Sequence, residues 1–135
     1  MKAAVVILAC ALLGGCASVT VSRDGATMVN IENSGWYLLE FIPIASGNPA
    51  RPNSCTTRLF SKTVTLENNV KMLDKVIRDE GAVAIRDINS FTLEEHILFI
   101  LLKRYSYHTS AQLLLEKDMD DARAVGASRV LPKEI

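Results

Sequence analysis

The sequence predicts an α+β fold in which a small antiparallel sheet packs against one main helix. Two observations carry this prediction. A helical stripe of apolar residues ends at Gly81, past the middle of the chain, and segments rich in β-branched and aromatic residues lie on both sides of it. The order strand, helix, strand, strand predicts a β-α-β-β core, followed by a short C-terminal helix.

The main helix is predicted over residues 66–80. Thr65 is a suitable N-cap, Glu67 lies in the first turn, where the helix dipole favours an anion, and Gly81 supplies the stop. Four apolar residues recur with a period close to 3.6 residues and are expected to face the sheet, namely Leu66, Val70, Leu73 and Ile77.

Before the helix, the sequence predicts extended chain interrupted by loops. Residues 27–31 alternate and predict a strand, which Asn33-Ser34-Gly35 is expected to end. Residues 36–44 predict a second extended segment or an apolar loop that covers the core. Two prolines and a glycine predict a loop over 46–54, and 55–60 is predicted as short extended chain.

After the helix, residues 82–91 and 104–115 predict two strands that pair antiparallel, because both are rich in β-branched and aromatic residues. The stretch 93–102 between them is expected to leave the sheet. Residues 118–125 predict a short helix that Gly126 ends.

The connecting stretch permits three interpretations. The capping box Thr92-x-x-Glu95 favours helical turns, whereas the apolar run Ile97–Leu102 suits a buried strand equally well. The same run, followed by Lys103 and Arg104, also suits a loop that contacts a bilayer. We favour a run that fills the core, because large exposed apolar patches are rare.

The N terminus has the order of a secretory signal, with Lys2 before an uncharged apolar run over 3–13. This run is shorter than the roughly 20 residues of a transmembrane helix. Leu13-Gly14-Gly15-Cys16 then resembles the bacterial lipobox. The resemblance implies a thioether-linked diacylglyceryl group on Cys16, cleavage after Gly15 and acylation of the new amino terminus.

Ala17 after the cysteine resembles cargo exported to the outer membrane of a Gram-negative envelope, on its periplasmic face. The alternative is an ordinary signal peptide cleaved near Ala17, which releases a soluble product. The lipobox interpretation divides the chain into a leader over 1–15, a lipidated tether over 16–26, one α+β domain over 27–126 and a tail over 127–135.

Removing the leader leaves 14 basic and 15 acidic residues, because Lys2 is the only charged residue it contains. Without a basic excess, no nucleic-acid partner is expected. Cys10 leaves with the leader and Cys16 carries the lipid, so Cys55 has no intramolecular disulfide partner. We expect an inert thiol at Cys55, and the alternative is an intermolecular disulfide.

No catalytic constellation is recognisable in the sequence. His96 and His108 lie 12 residues apart, a spacing that matches no zinc-ligand pattern. Cys55 with either histidine suggests a thiol nucleophile and its base, but no third residue that would orient them is marked. The sequence therefore predicts a protein that is not an enzyme and uses neither a metal nor a cofactor.

The candidate ligand or partner surface comprises Trp36, Phe41, Tyr107 and His108. Aromatic side chains supply large contact area, and Tyr105 and Tyr107 share one face of the predicted strand while His108 points to the other. The competing interpretation makes Trp36 a core anchor, Tyr107 half-buried and His108 a surface residue.

Three further features carry a family resemblance: Gly35-Trp36-Tyr37 with Pro43, the helix end at Gly81-Ala82, and Tyr107-His108-Thr109-Ser110-Ala111. They resemble small bacterial lipoproteins of uncharacterised function and, more loosely, the β-α-β-β domains of TRL-like and heavy-metal-binding-like envelope proteins. The resemblance implies architecture and location only, because paired cysteines and clustered histidines are missing from the sequence.

These features together predict a lipid-anchored envelope protein that contacts the membrane through Cys16 and acts as a non-enzymatic interaction or structural module. Its expected partner is another envelope protein. The alternative is a module that binds a small ligand or a metal.

Overall fold

The computed structural model describes residues 14–54, 56–97 and 101–128. Within these ranges the chain forms one six-stranded antiparallel sheet and two helices, an α+β arrangement dominated by the sheet. The leader up to Leu13, Cys55, residues 98–100 and the tail from residue 129 lie outside the described residues. The elements are β1 Ala17–Ser22, β2 Thr27–Leu38, β3 Ile42–Gly47, β4 Thr57–Leu59, α1 Leu66–Glu80, β5 Ala84–Ile97, β6 Leu102–Leu114 and α2 Glu116–Ser128.

The sheet has the order β4-β3-β2-β6-β5, and β1 also pairs with β2. Strand β2 is its centre, because β6 pairs with the full length of β2 on one side. On the other side, β1 pairs with residues 28–33 and β3 with residues 35–38. Two short strands therefore share one side of β2, end to end.

Strand β2 runs through Asn33-Ser34-Gly35, so the predicted break there is wrong. Tertiary partners hold these residues in the sheet. The side-chain amide of Asn33 donates to the carbonyl oxygen of Thr63 over 2.6 Å, and the N–H of Ser34 donates to the carbonyl oxygen of Cys16 over 2.8 Å. Gly35 is required by close packing, since a Cβ there would lie 2.9 Å from a neighbouring side chain.

Residues 17–22 belong to the predicted tether over 16–26, in which the sequence also permits a short strand at 19–21, and they form strand β1. Ala17 belongs to the core, and Val19 and Val21 pack against it, because alternate side chains of β1 point to the face that α1 covers. Residues 36–44 divide into the end of β2, a turn and the start of β3. Extended chain was therefore correctly predicted for most of this segment, but the sequence did not indicate which strands it pairs with.

Helix α1 begins and ends where the sequence predicts. The hydroxyl of Thr65 accepts from the N–H of Asn68, and Gly81 adopts a φ of 66°, the left-handed conformation that ends many helices. The helix covers β2 and β6, and the core between them consists of Ala17, Val29, Ile31, Met72, Leu73, Val76, Ala111 and Leu113.

The predicted apolar stripe of α1 is only partly buried. Leu73 is buried, whereas Leu66 and Val70 are 47% and 51% exposed. The helix is turned about its axis relative to the predicted orientation, and Asn69 accounts for this. Its Nδ2 donates to a backbone carbonyl and to Oγ1 of Thr109 on β6, both over 3.1 Å. These bonds hold the Asn69 side of the helix on the sheet and leave part of the stripe beside β5.

The predicted antiparallel pairing of 82–91 with 104–115 is confirmed, but the predicted excursion over 93–102 is wrong in the described residues. Strand β5 continues to Ile97, opposite Leu102, because pairing with β6 satisfies backbone groups of both strands. The described residues of the apolar run do not fill the core, since Ile97 is 43% and Leu101 is 55% exposed and Leu102 is half-buried.

The C-terminal helix α2 is longer at both ends than the predicted 118–125. It begins next to the end of β6, where the N–H of Leu115 donates to a carboxylate oxygen of Asp118 over 3.4 Å. It continues past Gly126 into the segment predicted as a tail.

Candidate functional site

Trp36 and Phe41, predicted to share one binding surface, lie in different environments. Trp36 is 6% exposed, and the guanidinium of Arg104 lies over its ring, 6.0 Å from the ring centre. Phe41 is 72% exposed in the turn between β2 and β3. Trp36 is therefore a packed residue, and Phe41 is available for contact with another molecule.

Tyr107 and His108 point to opposite faces of β6, since successive side chains of a strand alternate. The ring of His108 stacks on that of Phe91, with 4.9 Å between the ring centres, on the face opposite α1. This pair borders a shallow depression of about 190 Å³ lined mainly by polar side chains, among them Ser18, Thr20 and Glu32. The four predicted surface residues do not form a single site.

Tyr107 instead contributes to a pocket of about 250 Å³ on the face that carries α1. Tyr37 and Tyr105 line the same pocket and contact each other edge to face at 5.0 Å. Burial raises the pKa of the Tyr37 phenol, so this group remains protonated at neutral pH. The only sequence signal for this pocket was the alternate spacing of Tyr105 and Tyr107.

Lys103 lies beside this group of tyrosines. Its Nζ is 2.8 Å from a carboxylate oxygen of Glu94, 3.7 Å from one of Glu40 and 4.6 Å from the ring centre of Tyr105. Hydrogen bonds to Glu94 and then Tyr105 raise the pKa of Lys103, which keeps it a cation. Two carboxylates from two hairpins thus share one ammonium group and tie the hairpins together.

Cys16, the predicted lipidation site, lies where β1 and β3 meet beside β2. Its N–H donates to the hydroxyl of Ser34 over 3.1 Å, and its carbonyl oxygen accepts from the N–H of Ser34. Packing is tight, since a Cβ on Gly47 would lie 2.4 Å from the carbonyl carbon of Cys16. Cys16 is half-buried and continues directly into β1, so a lipid on this residue would attach to the sheet without a flexible spacer.

The sheet protects two of its edges. Strand β4 is only three residues long. The outer edge of β1 is covered by Asn53, whose side chain accepts from the N–H of Val19 and donates to its carbonyl oxygen, both over 2.9 Å. The N–H of Asn53 also donates to the carbonyl oxygen of Ala17 over 2.8 Å. Short strands and covered edges are the usual defences against pairing with other chains.

Strand β5 is neither short nor covered by a residue such as Asn53 within the described part of the chain, although a bulge and the exposed carboxylates of Glu94 and Glu95 lie along it. It is 14 residues long, and within the described part of the chain it pairs with β6 alone. A bulge near Asp87, where φ is 53°, interrupts it, and residues 89–97 then continue without proline or lysine. Phe91 and Leu93 are 48% and 49% exposed along this stretch. The edge therefore offers both unpaired backbone groups and apolar side chains.

An apolar groove of about 480 Å³ runs beside this edge, between α1 and β5. It includes the exposed part of the helical stripe, which the sequence assigned to the core. Its apolar lining consists of Leu66, Val70, Leu73, Ile77, Ile85 and Ile88.

Across the described residues, no group of three or more histidine, cysteine, aspartate or glutamate side chains is placed to hold a metal ion. No helix there is long and apolar enough to cross a membrane. Cys55 lies outside the described residues, so the expected inert thiol stays a prediction, and its distance to His96 or His108 is not described. No protein-family model, curated protein or solved structure matches this chain.

Proposed function

We propose that this protein is a lipid-anchored, non-enzymatic module of the bacterial cell envelope that binds an extended segment of another envelope protein along the edge of β5. The 14-residue edge of β5, which within the described residues pairs with β6 alone and carries exposed apolar side chains, is the observation that carries this proposal. The same proposal includes that this protein is one of the small envelope lipoproteins and that its fold is centred on a β-α-β-β core.

An added strand would gain affinity and specificity from different features of β5. Outward-pointing N–H and C=O groups of the edge form main-chain hydrogen bonds with any extended segment. Specificity comes from side chains on the two faces. On one face the partner meets Phe91 and Leu93, and on the other it meets the apolar groove beside Ile88. The expected partner segment is therefore extended and apolar on both faces.

The anchor is proposed at Cys16, on the periplasmic face of the outer membrane, from the lipobox and Ala17. Two or three acyl chains on one residue anchor durably, because each buried CH₂ contributes about 0.8 kcal/mol. Since Cys16 directly precedes β1 and is hydrogen-bonded to Ser34 of β2, the anchor would restrict how the domain is oriented on the membrane.

The anchor is tested by metabolic labelling with a palmitate analogue and by fractionation of membranes. Cys16→Ser is expected to abolish labelling and release the protein from the membrane fraction, whereas Cys55→Ser is the matched control and should keep both. Labelling that survives Cys16→Ser contradicts the anchor.

The edge is tested by site-specific photocrosslinking in intact cells, with the photoreactive residue at Leu93 on β5 or at Thr57 on β4. We expect position 93 to crosslink to one envelope protein, and Phe91→Lys to abolish that product, because a charge on the edge opposes strand addition. Position 57 should give none. A product of twice the chain's own mass would identify a second copy as the occupant and contradict a different partner.

A small ligand is the second candidate function, favoured by the tyrosine pocket. Three phenols, with Lys62 at the rim, suit a small planar molecule that carries hydrogen-bond acceptors. A screen of such molecules by thermal shift, repeated with Tyr107→Ala, tests it. Stabilisation that Tyr107→Ala removes supports the pocket, and equal shifts in both proteins exclude it.

A further inference from the structure

The two hairpin turns at one end of the sheet bring exposed apolar side chains together. The N–H of Leu39, between β2 and β3, donates to the carbonyl oxygen of Leu101, between β5 and β6, over 3.0 Å. We name the cluster at this end the apolar end, and it comprises Leu38, Leu39, Phe41, Ile42, Ile97 and Leu101, which are 38%, 42%, 72%, 37%, 43% and 55% exposed.

The turn that carries Leu39 is strained. Leu39 and Glu40 both adopt positive φ, 51° and 71°, a conformation that asparagine and glycine accept far more readily. A leucine kept at such a position costs stability, so its exposed side chain is expected to serve a contact outside the fold.

Charged residues lie next to the apolar end, and one of them, Glu40, lies within it between Leu39 and Phe41 with its side chain 51% exposed. Lys103 is 8% exposed at its side chain and lies against Glu94 and Glu40, and Arg104 lies 3.6 Å from Glu95. Paired charges lose less on leaving water than isolated ones do. The exposed apolar side chains of the apolar end are therefore accompanied by charges that are paired and partly neutralised.

Cys16 lies towards the same end of the sheet. It is hydrogen-bonded to Ser34, and Ser34 precedes Leu38 by four residues of β2, about 13 Å along a strand. A lipid on Cys16 and the side chains of the apolar end can therefore reach one membrane surface.

We propose that the apolar end inserts into the membrane surface beside the lipid anchor, an inference that rests on the proposed anchoring at Cys16. The sheet then stands with its strands directed away from the membrane, and the edge of β5 extends from the bilayer into the periplasm. In this orientation a second copy is a poor occupant of that edge. If the β5 edges of two copies paired antiparallel about a two-fold axis perpendicular to the sheet, the apolar end of the second copy would point away from the membrane.

Depth-dependent fluorescence quenching tests the insertion. The protein is purified from bacterial membranes and placed in vesicles of phosphatidylethanolamine and phosphatidylglycerol, with or without brominated acyl chains. Phe41→Trp reports on the apolar end, and Val83→Trp, next to the opposite end of β5, is the matched control. Signals are compared with the parent protein, which contains Trp36 alone.

We expect brominated lipid to quench the tryptophan at 41 and not the one at 83. Quenching at both positions or at neither overturns the insertion. Failure of the anchor gives a different result from failure of the insertion. If Cys16 carried no lipid, Cys16→Ser and the parent would bind vesicles equally, and brominated lipid would still quench the tryptophan at 41.

Leu39→Asn supplies a second test that separates insertion from folding. Asparagine suits the turn, so the variant should unfold at an equal or higher denaturant concentration than the parent. Its vesicle binding, measured in the Cys16→Ser background, should fall roughly ten-fold, the effect of leaving one buried leucine out of the membrane. Unchanged vesicle binding overturns the proposal.

Discussion

Asn69 on α1 donates a hydrogen bond from its side-chain amide to the hydroxyl of Thr109 on β6, and both residues are buried. The same amide donates to the backbone carbonyl of Tyr107. A polar residue, rather than the apolar stripe alone, therefore sets which side of α1 faces the sheet. The groove beside β5 is a consequence, because Leu66 and Val70 are turned away from the core.

Asn69→Ala should lower the free energy of unfolding by about 1–3 kcal/mol, because a buried hydroxyl and a carbonyl lose their donor. Equilibrium denaturation in urea measures this loss. Lys75→Ala, an exposed change on the same helix, is the control and should stay within about 0.5 kcal/mol of the parent. Equal losses in both variants would contradict the role of Asn69.

Tyr37 should make the fold less stable in alkali. Its pKa in the folded protein is raised above the ordinary value of 10.0 by burial, so the folded state keeps a proton that the unfolded state releases. The favourable contribution is fully present below pH 10 and is lost as the pH rises through the folded-state pKa. Denaturation curves above pH 10 should show a smaller loss for Tyr37→Phe than for the parent, and identical losses would contradict this assignment.

Lys103 and Glu94 should be energetically coupled, because the lysine side chain is 8% exposed and its Nζ lies 2.8 Å from the carboxylate. A double-mutant cycle with Lys103→Met and Glu94→Gln measures this coupling from unfolding free energies. Lys71 and Glu67, at 2.7 Å but 67% and 76% exposed, form the matched control pair. We expect clear coupling in the first cycle and almost none in the second, where water screens both charges.

Asn53→Ala should open the edge of β1, since its side chain covers the N–H and the carbonyl of Val19. We expect a loss of about 1–2 kcal/mol in unfolding free energy and an increased tendency to self-associate, detected by sedimentation. Asn48→Ala, in the same loop, is the control, because it removes only a local bond to the N–H of Ala50. This variant should self-associate no more than the parent does.

Sequence patterns predicted helices and strands correctly where the residues that determine them lie close together in the chain. Thr65 and Gly81 mark the ends of α1, and the strands around Ile85 and Tyr107 pair as predicted. The patterns failed where distant residues decide the outcome. Asn33 to Gly35 stay in a strand because Thr63 and Cys16 supply partners, and Thr92 and Glu95 lie on β5 although they form a capping box.

The candidate site was less predictable than the fold. Trp36, Phe41, Tyr107 and His108 were grouped by residue type, whereas the sheet places them in separate environments. The edge position of a strand is a property of strand order, and strand order depends on which distant segments pair. Charged residues along β5, among them Glu94 and Glu95, are typical of an edge strand, but they do not reveal which segment the strand pairs with.

The sequence by itself determined the helix and its ends, the extended character of most other segments and the lipobox-like cysteine, because caps, periodicity and short motifs act over a few residues. Only the tertiary structure decided that Cys16 leads straight into the sheet, that the helix leaves a groove, and that the two apolar turns meet. The reason is physical. These features arise from hydrogen bonds and packing between residues far apart in the chain, such as Cys16 with Ser34 and Leu39 with Leu101.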